Sequence, residues 1–146
     1  MHATTFRSSL VGFAVAACFA MSVPALAESV SFKAEMKGSS EVPPTDSKGT
    51  GSVTATYDTA SKTLTWKGNY SGLTDKPTMA HFHGPADVGK NADVAVSITN
   101  IATPFEGTAT LTDAQAADLM AGQWYVNVHT AAHPDGEIRG QVLKGK

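Results

Sequence analysis

Residues 50–70 read TGSVTATYDTASKTLTWKGNY. Apolar and polar residues alternate on both sides of a four-residue break. In TGSVTATYD (50–58), Val53, Ala55 and Tyr57 share one face; in TLTWKGNY (63–70), Leu64, Trp66 and Gly68 do. Period-two alternation is the signature of a half-buried strand, and TASK (59–62) supplies the turn, so the stretch predicts a β-hairpin. The same alternation extends outward. SVSFKAEM (29–36) reads as a preceding strand, and GSSEVPPTDSKG (38–49) as a loop whose prolines cannot continue a ladder. TMAHFHG (78–84), VAVSIT (94–99) and FEGTATL (105–111) follow as strands, with PADVGKNAD (85–93) a loop. TDAQAADLMAG (112–122) is the one helix, with Thr112 or Asp113 to cap it and Gly122 to end it. QWYVNVHT (123–130) and GEIRGQVLK (136–144) close the chain as a second hairpin around AAHPD. About eight short strands with one helix predict an all-β fold, a β-sandwich or flattened Greek-key barrel.

The first 27 residues stand apart. Arg7 is their only charge, residues 11–23 are almost wholly apolar, and PALAES places Ala25 and Ala27 in a small-x-small pattern. This reads as a secretory signal peptide cleaved after Ala27, its apolar run too short for a comfortable membrane span. VAAC, ending at Cys18, offers lipoprotein processing as the alternative, although the residues after it stay apolar through Leu26. Residues 28–146 then form a single domain, periplasmic or secreted. Without Arg7, ten Lys/Arg stand against thirteen Asp/Glu, a net charge near −3 with no basic stripe, which argues against a nucleic-acid partner. Cys18 is the only cysteine, so the mature domain has neither disulfide nor thiol nucleophile. No Gly-x-Ser-x-Gly elbow, P-loop or dinucleotide fingerprint is present.

Chemistry concentrates in the histidines. Four of five lie in two short motifs, AHFHG (80–84) and VHTAAHPDG (128–136). On the first strand His81 and His83 share a face with Met79, opposite Ala80 and Phe82, and stand about 6–7 Å apart. On the later strand Tyr125, Asn127 and His129 oppose Trp124, Val126 and Val128, with His133 on the following turn. In the last strand Glu137, Arg139 and Gln141 face away from Ile138 and Val142, and a tight turn at HPD sets His129 roughly opposite Arg139. If the two histidine strands are neighbours, His81, His83 and His129 converge, with His133 as a fourth or alternate ligand. Imidazole suits copper, zinc, iron or nickel. Met79 offers a thioether to Cu(I) or packs. Glu137 is a candidate acceptor for an imidazole N–H, and Arg139 beside a metal would attract an anion; a surface ion pair is the plainer alternative for both.

The ordered set GSSEVPPTDSKGTGSVTATYD, LTWKGNYSGL, AHFHGPA, AQAADLMAGQWYVNVHT and HPDGEIRGQ closely resembles the chordin-type (CHRD) domain, over about Ser31 to Val142. The resemblance implies an immunoglobulin-like β-barrel with a distant likeness to copper/zinc superoxide dismutases, and leaves the activity open. In that likeness His81 and His83 resemble a His-x-His copper pair, His129 a further copper histidine, and Arg139 an anion-guiding arginine. The chain departs from the dismutases in having no disulfide and too few histidines for a second, zinc-holding site. A single metal site, copper with zinc as alternative, serving storage, buffering or delivery is therefore expected. A structural or adhesive module that binds a protein partner is the alternative, and a dismutase-like redox enzyme comes third.

Overall fold

The computed structural model describes residues 26–145; Cys18 and the leader through residue 25 lie outside the described residues. Eight strands form one antiparallel sheet: β1 (Ser29–Lys37), β2 (Thr50–Asp58), β3 (Thr63–Ser71), β4 (Pro77–His83), β5 (Val94–Ser97), β6 (Phe105–Thr110), β7 (Trp124–Thr130) and β8 (Ile138–Lys144). A 3-10 turn (Gly38–Ser40) follows β1, and one helix, α1 (Asp113–Met120), precedes β7. The strand order is β5-β4-β7-β8-β1-β2-β3-β6, and the sheet curls into a nearly closed barrel. The architecture agrees with the all-β expectation. Among the described residues no helix is long and apolar enough to cross a membrane.

The hairpin of residues 50–71 is in unbroken register, from Thr50 opposite Ser71 to Asp58 opposite Thr63. Its inward face, Val53, Ala55, Tyr57, Leu64 and Trp66, joins Phe32, Ala34 and Met36 of β1 in the core. Gly68 also faces inward, and the Phe105 ring of β6 occupies the place a side chain there would take. Trp66, Phe82 and Trp124 form an aromatic chain through the interior, with centroids 5.3 Å and 6.0 Å apart. The helix starts as its sequence dictates: Thr112 accepts from Gln115 N while the Gln115 side chain accepts from Thr112 N, a capping box. Gln115 Nε2 also donates to Ala95 O, which satisfies one carbonyl of the edge strand β5.

Two features of the sheet position the histidines. β4 and β7 are direct neighbours, with Met79 opposite His129, His81 opposite Asn127 and His83 opposite Tyr125. And β7 is buried along its whole length on both faces. Its Trp124, Val126 and Val128 enter the barrel core. Its other face lies under the loop of residues 84–93. The Arg139 guanidinium donates to Asn91 Oδ1 and Lys90 O, and Asn91 Nδ2 in turn donates to Val42 O.

The β7–β8 register corrects one expectation. Asn127, not His129, lies opposite Arg139, and Val128 lies opposite Ile138. The connection is less tight than an HPD tip would make it: Thr130 and His133 exchange backbone hydrogen bonds, Gly136 N donates to His133 O, and Glu137 N donates to Val128 O. The shift is two residues, so the paired residues of β8, Ile138–Val142, keep the faces expected of them.

Candidate metal centre

His81, His83 and His129 each offer one ring nitrogen such that these atoms lie within 4.8 Å of one another. Strand alternation puts the first two on one face of β4, and antiparallel pairing sets His129 beside them on β7. His81 Nδ1 and His129 Nε2 are 3.2 Å apart. The ring centroids of His81 are 5.4 Å from His83 and 5.1 Å from His129. His83 and His129 are buried, while His81 is half-buried and Met79 is 46% exposed, so the group is reached from the His81 side.

The hydrogen bonds select which nitrogens are available. His129 Nδ1 is 2.8 Å from Pro134 O, and His83 Nδ1 is 3.0 Å from Ala92 O. A carbonyl only accepts, so both Nδ1 atoms carry their hydrogen and each neutral ring holds its lone pair on Nε2. This is the arrangement in which a carbonyl orients a metal-binding imidazole. His81 Nδ1 then donates to His129 Nε2, and a cation can replace that shared hydrogen.

Electrostatics favour the neutral form of His81 and His83. Burial holds the His81 pKa below its ordinary value of 6.5, and the charges that His129 and His83 would carry push the same way. Burial also lowers His83, against the bonds to Ala92 and Asn127 that pull it back. Neutral imidazole is the ligand form. Two nitrogens bound to one ion at about 2.0–2.1 Å stand at most about 4.2 Å apart. The closest pair already meets that limit, and side-chain adjustment of well under 1 Å brings in the widest. The three histidines fit one transition-metal ion.

The other residues singled out from sequence are placed differently. His133, half-buried on the β7–β8 connection, is not among the grouped nitrogens; it borders a separate cleft with Glu41, Pro43, Asp46, Pro134 and Asp135. Met79 shares the histidine face as the cross-strand partner of His129. Glu137 serves the loops: its Oε1 accepts from Ser47 Oγ (2.6 Å), Thr74 N (2.6 Å) and Thr74 Oγ1 (2.9 Å), and its Oε2 from Thr130 Oγ1 (2.6 Å). Burial would raise its pKa, but these donors outweigh burial and hold it below the ordinary 4.5. Arg139 is 2% exposed, with its guanidinium carbon 3.4 Å from the Tyr125 ring centroid. Tyr125 stacks on His83 with its other face, centroids 4.7 Å apart and planes within 5°. Fully engaged with Tyr125, Asn91 and Lys90, this guanidinium is closed to an anion in solvent. Neither Glu137 nor Arg139 is a surface ion pair.

Sequence reasoning assigned no role to Asn127, Tyr125 and Glu41. Asn127 Oδ1 is 3.1 Å from His83 Nε2. The alternation that placed Tyr125 and Asn127 on the His129 face was a usable signal for those two. Glu41, in a proline-rich loop with no period, had none.

Residues 32–142 match the family model for the CHRD domain. No curated protein and no solved structure matches the chain. The match spans most of the chain and nearly all of the barrel, and the chain belongs to the CHRD domain family.

Proposed function

We propose that this domain binds one transition-metal ion, copper in preference to zinc, through His81, His83 and His129, and that it stores, buffers or delivers that ion outside the cytoplasm. The observation that carries the proposal is the convergence of three ring nitrogens from two adjacent strands within 4.8 Å, two of those rings being oriented by backbone carbonyls. An all-imidazole donor set suits copper and zinc, and Cu(II) stands highest among the first-row divalent ions for a given set of donors. The leader of residues 1–27, read from sequence, supplies the location, cleavage after Ala27 releasing the domain to the periplasm or beyond.

Storage or delivery is favoured over turnover by Arg139. Guiding an anionic substrate needs an accessible cation, and this guanidinium is buried against Tyr125 and the 84–93 loop. The test is titration of residues 28–146 with Cu(II) and Zn(II) at neutral pH against a competing chelator. Wild type is expected to bind below micromolar and to melt higher when loaded, because the ion binds only the folded state. His81→Ala and His129→Ala should each weaken binding by roughly 100-fold or more, the scale on which even supporting residues of metal sites act. His133→Ala should leave it unchanged. Millimolar binding indifferent to all three changes would sink the proposal and favour a module that binds a protein partner.

A further inference from the structure

Two buried polar groups beside the histidines have no part in the metal-binding proposal. Asn127 is 3% exposed and faces His83 Nε2. Glu41 is 5% exposed, and its Oε1 has no hydrogen-bond partner. They meet at Gly136, whose φ of 126° suits glycine. A Cβ there would lie 2.5 Å from Glu41 Oε1 and 2.7 Å from Asn127 Nδ2, so both groups border one small space that only glycine leaves free.

An amide has a donor end and an acceptor end, and Asn127 sits between two partners that cannot both be served by either orientation in every protonation state. The neutral His83 ring presents a lone pair at Nε2, because its Nδ1–H is committed to Ala92 O. If Asn127 turns its NH₂ to that lone pair, its oxygen faces Glu41 and suits a protonated carboxyl. If it turns its oxygen to His83, as here, the NH₂ is presented on the Glu41 side, where a carboxylate can draw it into a hydrogen bond. Two acceptors, Oδ1 and Nε2, then face each other at 3.1 Å, an arrangement that a cation relieves.

We propose that Glu41 is a positioning residue for metal binding: through the Asn127 amide it decides whether His83 Nε2 is occupied by a hydrogen bond or free to take a metal ion. The inference rests on the metal-binding proposal above. The charged groups around Glu41 are few. Arg139 of β8 lies near it, and Asp46 of its own loop with His133 and Asp135 of the β7–β8 connection border the same cleft. Burial pushes the Glu41 pKa up to about 7, against the partial pull of Arg139 and Asn127, so both carboxyl forms are populated near neutrality.

The experiment measures Kd for Cu(II) by chelator competition between about pH 6.5 and 8 in the wild type, Glu41→Gln, Asn127→Ala and the double variant. The wild-type Kd should tighten across this range, above the ordinary histidine value where the depressed His81 and His83 are already neutral. Glu41→Gln should flatten the profile and weaken binding at the upper end by roughly 10-fold, the lower bound for loss of a group supporting a metal ligand. In the Asn127→Ala background the same change should do nothing, because the two act as one unit. Equal effects of Glu41→Gln in both backgrounds, or a steep profile retained by Asn127→Ala, would overturn the inference. Should Glu41→Gln fail to fold, Asn127→Ala decides alone: a flattened profile supports the coupling and a retained one ends it. A wild type that binds no copper sinks the metal-binding proposal itself and this inference with it; tight wild-type binding without the coupling sinks only the inference.

Discussion

Glu137 and Glu41 are both buried carboxylates, and both lie in the connections between strands. Four donors from Ser47, Thr74 and Thr130 surround Glu137 and hold its pKa below 4.5. Glu41 has one oxygen without a partner, and its pKa rises to about 7. Burial acts on both in the same direction. The supply of hydrogen-bond donors decides the outcome: one charge is fixed as a staple between loops 45–47 and 72–74 and the β7–β8 connection, and the other is left free to change near neutral pH.

The contrast can be broken at its strong end first. Glu137→Ala strips a charge-assisted hub and leaves the Ser47, Thr74 and Thr130 donors without their acceptor. It should cost about 3–5 kcal/mol, four hydrogen bonds to a charged group at about 1.5–3 kcal/mol each being offset in part by the burial penalty that the carboxylate no longer suffers. Urea denaturation would measure this, and a loss below about 1 kcal/mol, an ordinary single hydrogen bond, would show that the staple is not one.

Glu41 should behave in the opposite sense. Its folded pKa lies above the unfolded 4.5, so between pH 4.5 and about 7 the folded protein keeps a proton that the unfolded chain has lost. The contribution of this group to stability is full below pH 4.5 and is lost as pH rises through about 7. Glu41→Gln, which cannot ionise, should therefore stabilise the metal-free protein at pH 8 by up to about 3.5 kcal/mol, about 2.5 units of pKa at 1.4 kcal/mol each, and have little effect near pH 4.5. Parallel stability-versus-pH curves for the two proteins would refute the assignment. His81 and His83 have the reverse sign. Their folded pKa values lie below 6.5, so the stability they support is full above pH 6.5 and falls as the solution becomes more acid. The metal-free protein is thus expected to be most stable where these slopes cross.

A finer probe is Ser47→Ala, which removes one of the four donors to Glu137 and should cost about 1.5–3 kcal/mol, the range for one hydrogen bond to a charged group, measurable by the same denaturation. It should also raise the Glu137 pKa, visible as loss of stability setting in at higher pH on acid titration. An unchanged Glu137 pKa would show that the remaining donors carry the whole effect.

The strands were legible because alternation of apolar and polar residues is a local property. The bounds of β2 are those that Val53, Ala55 and Tyr57 suggest, and β3 extends one residue beyond its expected end. The faces of the histidines followed from the same period. The β7–β8 register did not, because it depends on how Thr130, His133 and Gly136 bond across the connection, and turn chemistry there offered more than one length. Nor did the covering of the second face of β7. Tyr125 and Arg139 read as outward residues, and outward normally means wet; here residues 90–92 lie over them through backbone groups and the Asn91 side chain, for which coil sequence carries no period. The adjacency of β4 and β7, on which the grouping of the three histidines depends, arises from pairing across more than forty residues and could be posed from sequence only as a condition.

The grouped histidines are divided unequally between margin and interior. β7 lies within the sheet between β4 and β8, whereas β4 has on its far side only the four-residue terminal strand β5. Fraying that begins at Val94–Ser97 reaches His81 and His83 before it disturbs His129. An ion held by all three would rivet the loosest border of the sheet to its most enclosed strand. Amide hydrogen exchange in β4 and β5 should then slow on loading far more than in β2 and β3, and cargo release would begin with breathing at that border.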